Sequence, residues 1–284
     1  MYEFLKTLDR RWVFLLMFLA VATPILLKVT FPEKPSAMVM DVFQAIEGLP
    51  EGSKVLMAWD FDPASRGELE PMASAFTRHC AEKKLKMYYM ALWPLAVPMI
   101  QDSIRILERE YPHLEYGRDY MNLGYKPGNE GVIKVVITNI RKLYTTDHYG
   151  TGVETIPMMS GVTSVQAMDL IINVSAGDPG TKQWVQYVAT PFNKRMVAGA
   201  TGVQAPQLYP YIPAQLVGIL GAIKAAAEYE QAVIDGYPHL AKIATAKEGL
   251  RRMGPQLVGH VLVVLLVILA NVIYFIGRRR GDTR

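Results

Sequence analysis

The chain is poor in the residues that build redox and metal chemistry. Cys80 is its one cysteine among 284 residues, which excludes an internal disulfide. In FTRHCAEKK that cysteine reads as a small packing residue of a helix. The five histidines are scattered, and no Cys/His cluster has zinc-site spacing. Nucleotide and hydrolase signatures are missing as well. No GxGxxG follows the first expected strand, no GxxxxGK[ST] occurs, and GxSxG is absent. These absences remove the usual dinucleotide, phosphate-loop and serine-hydrolase readings, and no cofactor is expected. Charged residues make up only 20% of the chain against 51% hydrophobic. The net charge is +4 and the pI near 9.0. The basic residues gather beside two long apolar runs, so the excess reads as membrane topology and not as nucleic-acid binding.

Those two runs are the strongest feature present. RWVFLLMFLAVATPILLKV is uncharged from Trp12 to Leu27, and QLVGHVLVVLLVILANVIYFIG, from Gln256, is uncharged unless His260 is protonated. Roughly 20 helical residues cross a hydrocarbon core of about 30 Å. Transmembrane helices are therefore expected at 12–29 and 256–276. A cleaved leader competes for the first, with Lys6, Arg10 and Arg11 as its basic region and Ala20-Val21-Ala22 as the cut. The run PILLKV beyond that point favours an anchor. Arg10, Arg11 and Arg278 to Arg280 predict cytoplasmic tails at 1–11 and 277–284, against the opposing signal of Lys28, Arg251 and Arg252. The middle, 30–254, is then extracytoplasmic, periplasmic if the membrane is a bacterial inner membrane. His260 and Asn271 share one stripe of the second span, near the membrane faces or turned to another helix.

Between the runs, apolar strands alternate with helical periods. Strands are expected at Lys54–Trp59, Lys86–Leu92, Tyr120–Tyr125, Leu170–Ser175 and Arg195–Ala200. Helices are expected from Ser36 (as a cap) to Gly48, over Glu68–Lys84, Pro94–Glu110 and Lys182–Ala189, and from Pro213 to Ile234. GNEGVIKVVITNIRKLY has β-branched residues but a helical period, and His148–Val162 has no period. Such alternation implies an α/β fold: a Rossmann-like or flavodoxin-like, mostly parallel sheet with helices on both faces, flanked by the two transmembrane helices.

Ligands of open parallel sheets sit outside the strand carboxyl ends. Those ends place Asp60, Asp62, Trp93, Asn122, Ser175, Asp178 and Thr201 around one candidate crevice, although strand ends need turn-forming residues in any case. The stretch VLMAWDFDPAS resembles the nucleophile motif of haloacid-dehalogenase-type phosphatases. The resemblance implies Asp60 as nucleophile, Asp62 as acid–base partner and a Mg²⁺ ion between them. It covers one strand and turn. Pro63-Ala64 replace the small pair expected next, Ser175 fits a later position, Lys182 fits poorly, and GATGVQAP has no acid for the metal. The alternative role for both aspartates is structural, capping the helix near Gly67 or fixing its turn.

The sequence thus predicts a two-span membrane protein presenting an α/β domain, a non-enzymatic ligand-binding or assembly subunit of an envelope or transport complex. Its expected partners are the lipid bilayer and a membrane protein or a second copy. A second copy would use the small residues Gly218, Gly221, Ala222, Ala225 and Ala226, which alternatively pack on the domain's own sheet. A metal-dependent hydrolase or phosphatase using Asp60 and Asp62 is the alternative function.

Overall fold

The structure, a computed structural model, describes residues 9–280. Lys6, most of the expected tail at 1–11, and the end of the basic tail at 281–284 lie outside the described residues. The chain divides into two compact units, one formed by the described parts of Met1–Pro32 and Leu250–Arg284, the other by Glu33–Gly249.

Glu33–Gly249 is an α/β unit. Its strands are β1 (Lys54–Asp60), β2 (Lys86–Ala91), β3 (Tyr120–Tyr125), β4 (Leu170–Ser175), β5 (Met196–Ala200) and β6 (Gly218–Gly221). They form one all-parallel sheet in the order β3-β2-β1-β4-β5-β6. The winding reverses between β1 and β4, and those two strands pair from Val55↔Leu170 to Asp60↔Ser175. Alternation decides what each face meets. Leu56 and Ala58 of β1 join a core with Ile133, Val136 and Trp184. Trp59 points the other way, its indole N–H donating to Ser103 Oγ at 3.0 Å. Helices α3 (Arg66–Glu82) and α4 (Val97–Glu110) cover that second face, with α10 (Ala222–Gly236) packed on α3.

The ambiguous stretch is helical: α5 (Glu130–Thr138) and α6 (Ile140–Leu143), with Val132, Ile133, Val136 and Ile140 buried. The unperiodic connection that follows is made of short 3₁₀ turns whose Val153, Met158 and Met159 fill the core. It closes one face of the sheet. Lys182–Ala189 becomes α7 (Thr181–Trp184) and a π turn, Val185–Ala189, before the short α8 (Thr190–Phe192).

Two expectations are corrected. Pro213–Ile234 is not one helix, because Gly218–Gly221 is the edge strand β6, after the short α9 (Ala205–Leu208) and a 3₁₀ turn. A Cβ at Gly218 would lie 2.9 Å from Val42 Cγ2 and 3.0 Å from the Met38 carbonyl, both on α2 (Ala37–Glu47). Glycine lets α2 pack directly on the strand, so Gly218 and Gly221 are sheet residues and only Ala222 onward is helix. Ser36 precedes α2 but its hydroxyl makes no cap bond. Its backbone N–H instead donates to Glu228 of α10 at 2.9 Å.

The second unit holds α1 (Arg10–Leu26) and most of α11 (Glu248–Arg279). The helical stretch Ala244–Arg279 is long and apolar enough to cross a membrane, and none of its most apolar window is buried in the protein. α1 stops three residues short of the expected 29, with Lys28 left-handed at φ 52°. Its 17 residues rise about 26 Å, slightly less than a hydrocarbon core. Thr23 Oγ1 returns its proton to the Leu19 carbonyl, and Asn271 does the same to Val267 at 2.8 Å, so both polar groups are satisfied within their own helices.

One buried ion pair fixes the end of the α/β unit. Arg78 of α3 donates through Nε and Nη2 to the Glu110 carboxylate of α4 at 2.7 and 3.0 Å, and through Nη1 to the Thr245 carbonyl at 3.2 Å. Their side chains are 2% and 6% exposed. Removing one member of such a pair costs roughly 3–5 kcal/mol by leaving the other charge buried. Arg78→Ala is expected to lower the unfolding free energy by that order in denaturant titrations followed by tryptophan fluorescence. Arg105→Ala, which removes the exposed Arg105–Asp102 pair, is expected to change it by less than about 1 kcal/mol.

Candidate functional site

The carboxyl ends of β1 and β4 meet at the point where the winding reverses, and the chain places polar groups there. The register Ala58↔Asn173 and Asp60↔Ser175 brings Asp60, Asn173 and Ser175 to the same face of two adjacent strands. Asp60 is wholly buried. Its Oδ1 accepts the Leu92 backbone N–H at 2.7 Å, and Oδ2 accepts Asn173 Nδ2 at 2.7 Å and the Trp184 indole N–H at 3.1 Å. The carboxylate therefore ties β1 to the end of β2, to β4 and to α7.

The network continues through Asn173. Its Nδ2 also donates to the Ala58 carbonyl at 2.9 Å, while its Oδ1 accepts Thr181 Oγ1 at 2.6 Å. Thr181 Oγ1 lies 2.8 Å from Ser175 Oγ, which also donates to Gln204 Oε1 at 3.2 Å. Gln204 Nε2 donates to the Gly177 carbonyl at 3.1 Å. Asn173, Ser175, Thr181 and Gln204 are all buried. The loop after β4 folds tightly over this cluster. A Cβ at Gly180 would fall 2.4 Å from the Gly177 carbonyl oxygen and 2.6 Å from Ser175 Cβ. Trp93, at the end of β2, latches the same loop by donating its indole N–H to the Pro179 carbonyl at 2.7 Å.

The seven expected site residues thus separate. Asp60 and Ser175 belong to one buried network, which Trp93 covers and Thr201 joins through the Gln204 N–H, 3.3 Å from its hydroxyl. Asp178 stands exposed on the covering loop. Asp62 is half-buried and accepts the Ser65 N–H at 3.1 Å, capping the 3₁₀ turn Pro63–Ser65. The structural role considered for both aspartates holds for Asp62; Asp60 caps nothing and reaches across the sheet instead. Asn122 lies apart in the middle of β3 and not at its end, accepting the Gly124 N–H at 2.8 Å while its Nδ2 has no partner. Four members of the network are absent from the sequence-based set: Asn173, Thr181, Trp184 and Gln204. Asn173 carried a signal, being the one amide inside LIINVS and two residues from Ser175 on the same strand face.

This geometry bears on the chemistry the acidic pair can do. A nucleophilic carboxylate needs an oxygen open to the incoming group. Both oxygens of Asp60 are taken by three donors, and the residue has no exposed surface. Asp62 faces its own turn. Among the described residues no group of three or more His, Cys, Asp and Glu side chains is arranged to hold a metal ion. Burial pushes the Asp60 pKa up to about 7, opposed by the Leu92 N–H, the Trp184 indole and the Asn173 amide. What the cluster does is join four chain segments at the centre of the sheet edge.

No family model matches the chain, and no curated protein matches it. Among solved structures it is similar to one titled "Structure of MT0777", at 14% sequence identity and a TM-score of 0.34 over 65% of this chain and 98% of that one.

A carboxylate with a folded pKa of about 7, against 3.8 when free, binds a proton in the folded state that the unfolded chain has lost. Stability from this group is therefore present in full below about pH 4 and falls as the pH rises toward 7. Thermal melts of wild type and Asp60→Asn across that window are expected to show the wild type losing stability relative to the variant. A constant difference across the window would mean that Asp60 is ionised throughout. Thr181→Val, which removes the hydroxyl between Asn173 and Ser175, is expected to cost about 1–3 kcal/mol in denaturant titration.

Proposed function

We propose that this chain is a two-span membrane protein whose Rossmann-like domain acts as a non-enzymatic ligand-binding or assembly subunit of an envelope or transport complex. The strand order is that of the doubly wound dinucleotide-binding sheet and differs from the flavodoxin order. In this reading α1 and α11 both span a bacterial inner membrane, both termini are cytoplasmic, and the α/β domain is periplasmic or extracellular. The C-terminal apolar helix supports membrane attachment. Arg10, Arg11 and Arg278 to Arg280 support the orientation.

The observation that carries the non-enzymatic part is the closure of the Asp60 network. The position where a sheet of this topology presents its chemistry is occupied by side chains that satisfy one another. The rim around that edge presents apolar side chains beside the exposed Asp178. Leu95 and Val203, on the turns after β2 and β5, are 59% and 85% exposed, and Tyr209, after α9, is 48% exposed. Exposed aliphatic and aromatic side chains on a rigid rim suit protein contact better than catalysis.

Alkaline carbonate is expected to leave the chain in the membrane pellet. A phosphatase-type reporter inserted at Gly150, an exposed loop position, is expected to be active only when outside the cytoplasm. Release by carbonate, or a reporter active only as a cytosolic fusion, contradicts the reading. A photoreactive amino acid at Val203 is expected to cross-link to one membrane or envelope protein, and no product at Val203, Leu95 or Tyr209 would remove the assembly role.

A further inference from the structure

Tyr144 is fully buried, yet its hydroxyl has no hydrogen-bond partner. A buried hydroxyl in that state is uncommon and costs free energy unless something small completes it. Its place follows from the chain. Tyr144 closes α6, its N–H donating to the Ile140 carbonyl at 2.9 Å. The ring belongs to the core that Leu56, Ala58, Leu92 and Trp184 share. Lys126, the residue after β3, holds its ammonium 5.6 Å from the ring centroid, which sets the ring at the carboxyl end of the sheet.

Asp60 comes to the same layer. Alternation carries its side chain to the face of Leu56 and Ala58, and it meets the Trp184 indole there. Its two oxygens look in different directions. Oδ2 takes Asn173 and Trp184, on the β4 side. Oδ1 takes only the Leu92 N–H, on the β2 side, and a carboxylate oxygen has room for a second donor. The order β3-β2-β1 puts Lys126 and the Tyr144 ring on that same side.

The gap between the two groups is what makes a site. Tyr144 Oη is not within hydrogen-bond distance of Asp60, yet the Asp60 charge reaches it. Burial first, and then that charge, hold the phenol above its usual pKa, so it stays a donor. The groups already bound to Asp60 are N–H donors and cannot accept a proton from it. Asp60, pushed up to about 7 by burial, carries a proton for part of the time near neutrality, and that proton needs an acceptor. What suits both states is small, uncharged and able to donate and accept.

We propose that one internal water sits between Tyr144 Oη and Asp60 Oδ1 and completes the network on its β2 side. With Asp60 ionised, the phenol donates to the water and the water donates to Oδ1. With Asp60 protonated, the water turns and accepts from the carboxyl, and no N–H donor has to move. Tyr144 is then a positioning residue for the water, and Lys126 covers its ring. The inference concerns the α/β unit alone and does not rest on the membrane reading.

The test is a high-resolution crystal structure of the full chain, paired with an infrared titration of the Asp60 carboxyl, whose band Asp60→Asn identifies. The wild type is expected to show a single density peak about 2.8 Å from both Tyr144 Oη and Asp60 Oδ1. Tyr144→Phe keeps the ring in the core and removes the donor. It is expected to lose the peak and to bind the Asp60 proton roughly tenfold more tightly, because the carboxylate loses a donor. A tyrosine that only fills space would leave the titration where it was. Wild-type density without the peak, or with the phenol bonded directly to the carboxylate, overturns the proposal. So does a Tyr144→Phe protein with wild-type circular dichroism whose carboxyl titrates as the wild type does. If that variant fails to fold, the wild-type density decides alone.

Discussion

A buried carboxylate holding three donors from three different segments is the constraint around which the α/β domain is arranged. Among the described residues no cation pairs with Asp60; what compensates its burial is the set of N–H groups from Leu92, Asn173 and Trp184. Each donor comes from a segment that the chain must bring to the reversal point of the sheet. An uncompensated charge there costs several kcal/mol, so the loops after β1, β2 and β4 are fixed together or not at all. Thr181, Ser175 and Gln204 extend the same logic outward, and the glycine at 180 allows the covering loop to close without a side chain between it and Ser175.

Closure of that point shapes the functional account. In sheets of this order the crevice beyond β1 and β4 is where ligands are held. Here the crevice is filled by the protein's own amides and hydroxyls, and Trp93 seals it through the Pro179 carbonyl. Exposed apolar side chains lie on the rim, Val203 among them, and along the two apolar helices. The domain's entering and leaving segments are held on α10: the Ser36 N–H donates to Glu228 and the Gly249 N–H to Glu230, each at 2.9 Å. One helix thus grips both ends of the α/β unit.

Much of this architecture was legible in the chain. β4 runs over Leu170–Ser175 as its continuous apolar run predicts, and β1 differs from expectation only by including Asp60. The helical period of Ile133, Val136 and Ile140 outweighed their β-branching because one face had a core to fill. β6 was hidden for a physical reason. GILG sits inside a run rich in Ala and Gly, and its strand character comes from pairing with β5 and from the close approach of α2, neither of which is local. The site divides along the same line. Strand ends and turn residues identify Asp60, Ser175 and Trp93, but the donors that complete Asp60 stand 32, 113 and 124 residues away in sequence. Only Asn173, an amide inside a buried strand, announced itself.

Hydrogen–deuterium exchange at two protons tests the central role of Asp60 most directly: the Leu92 backbone amide and the Trp184 indole N–H, followed in wild type and in Asp60→Asn. If the carboxylate holds the strand ends together, both protons exchange slowly in the wild type and both become fast in the variant while the amides of central β4 stay protected. Unchanged protection of the pair in Asp60→Asn, or rapid exchange already in the wild type, would contradict the account.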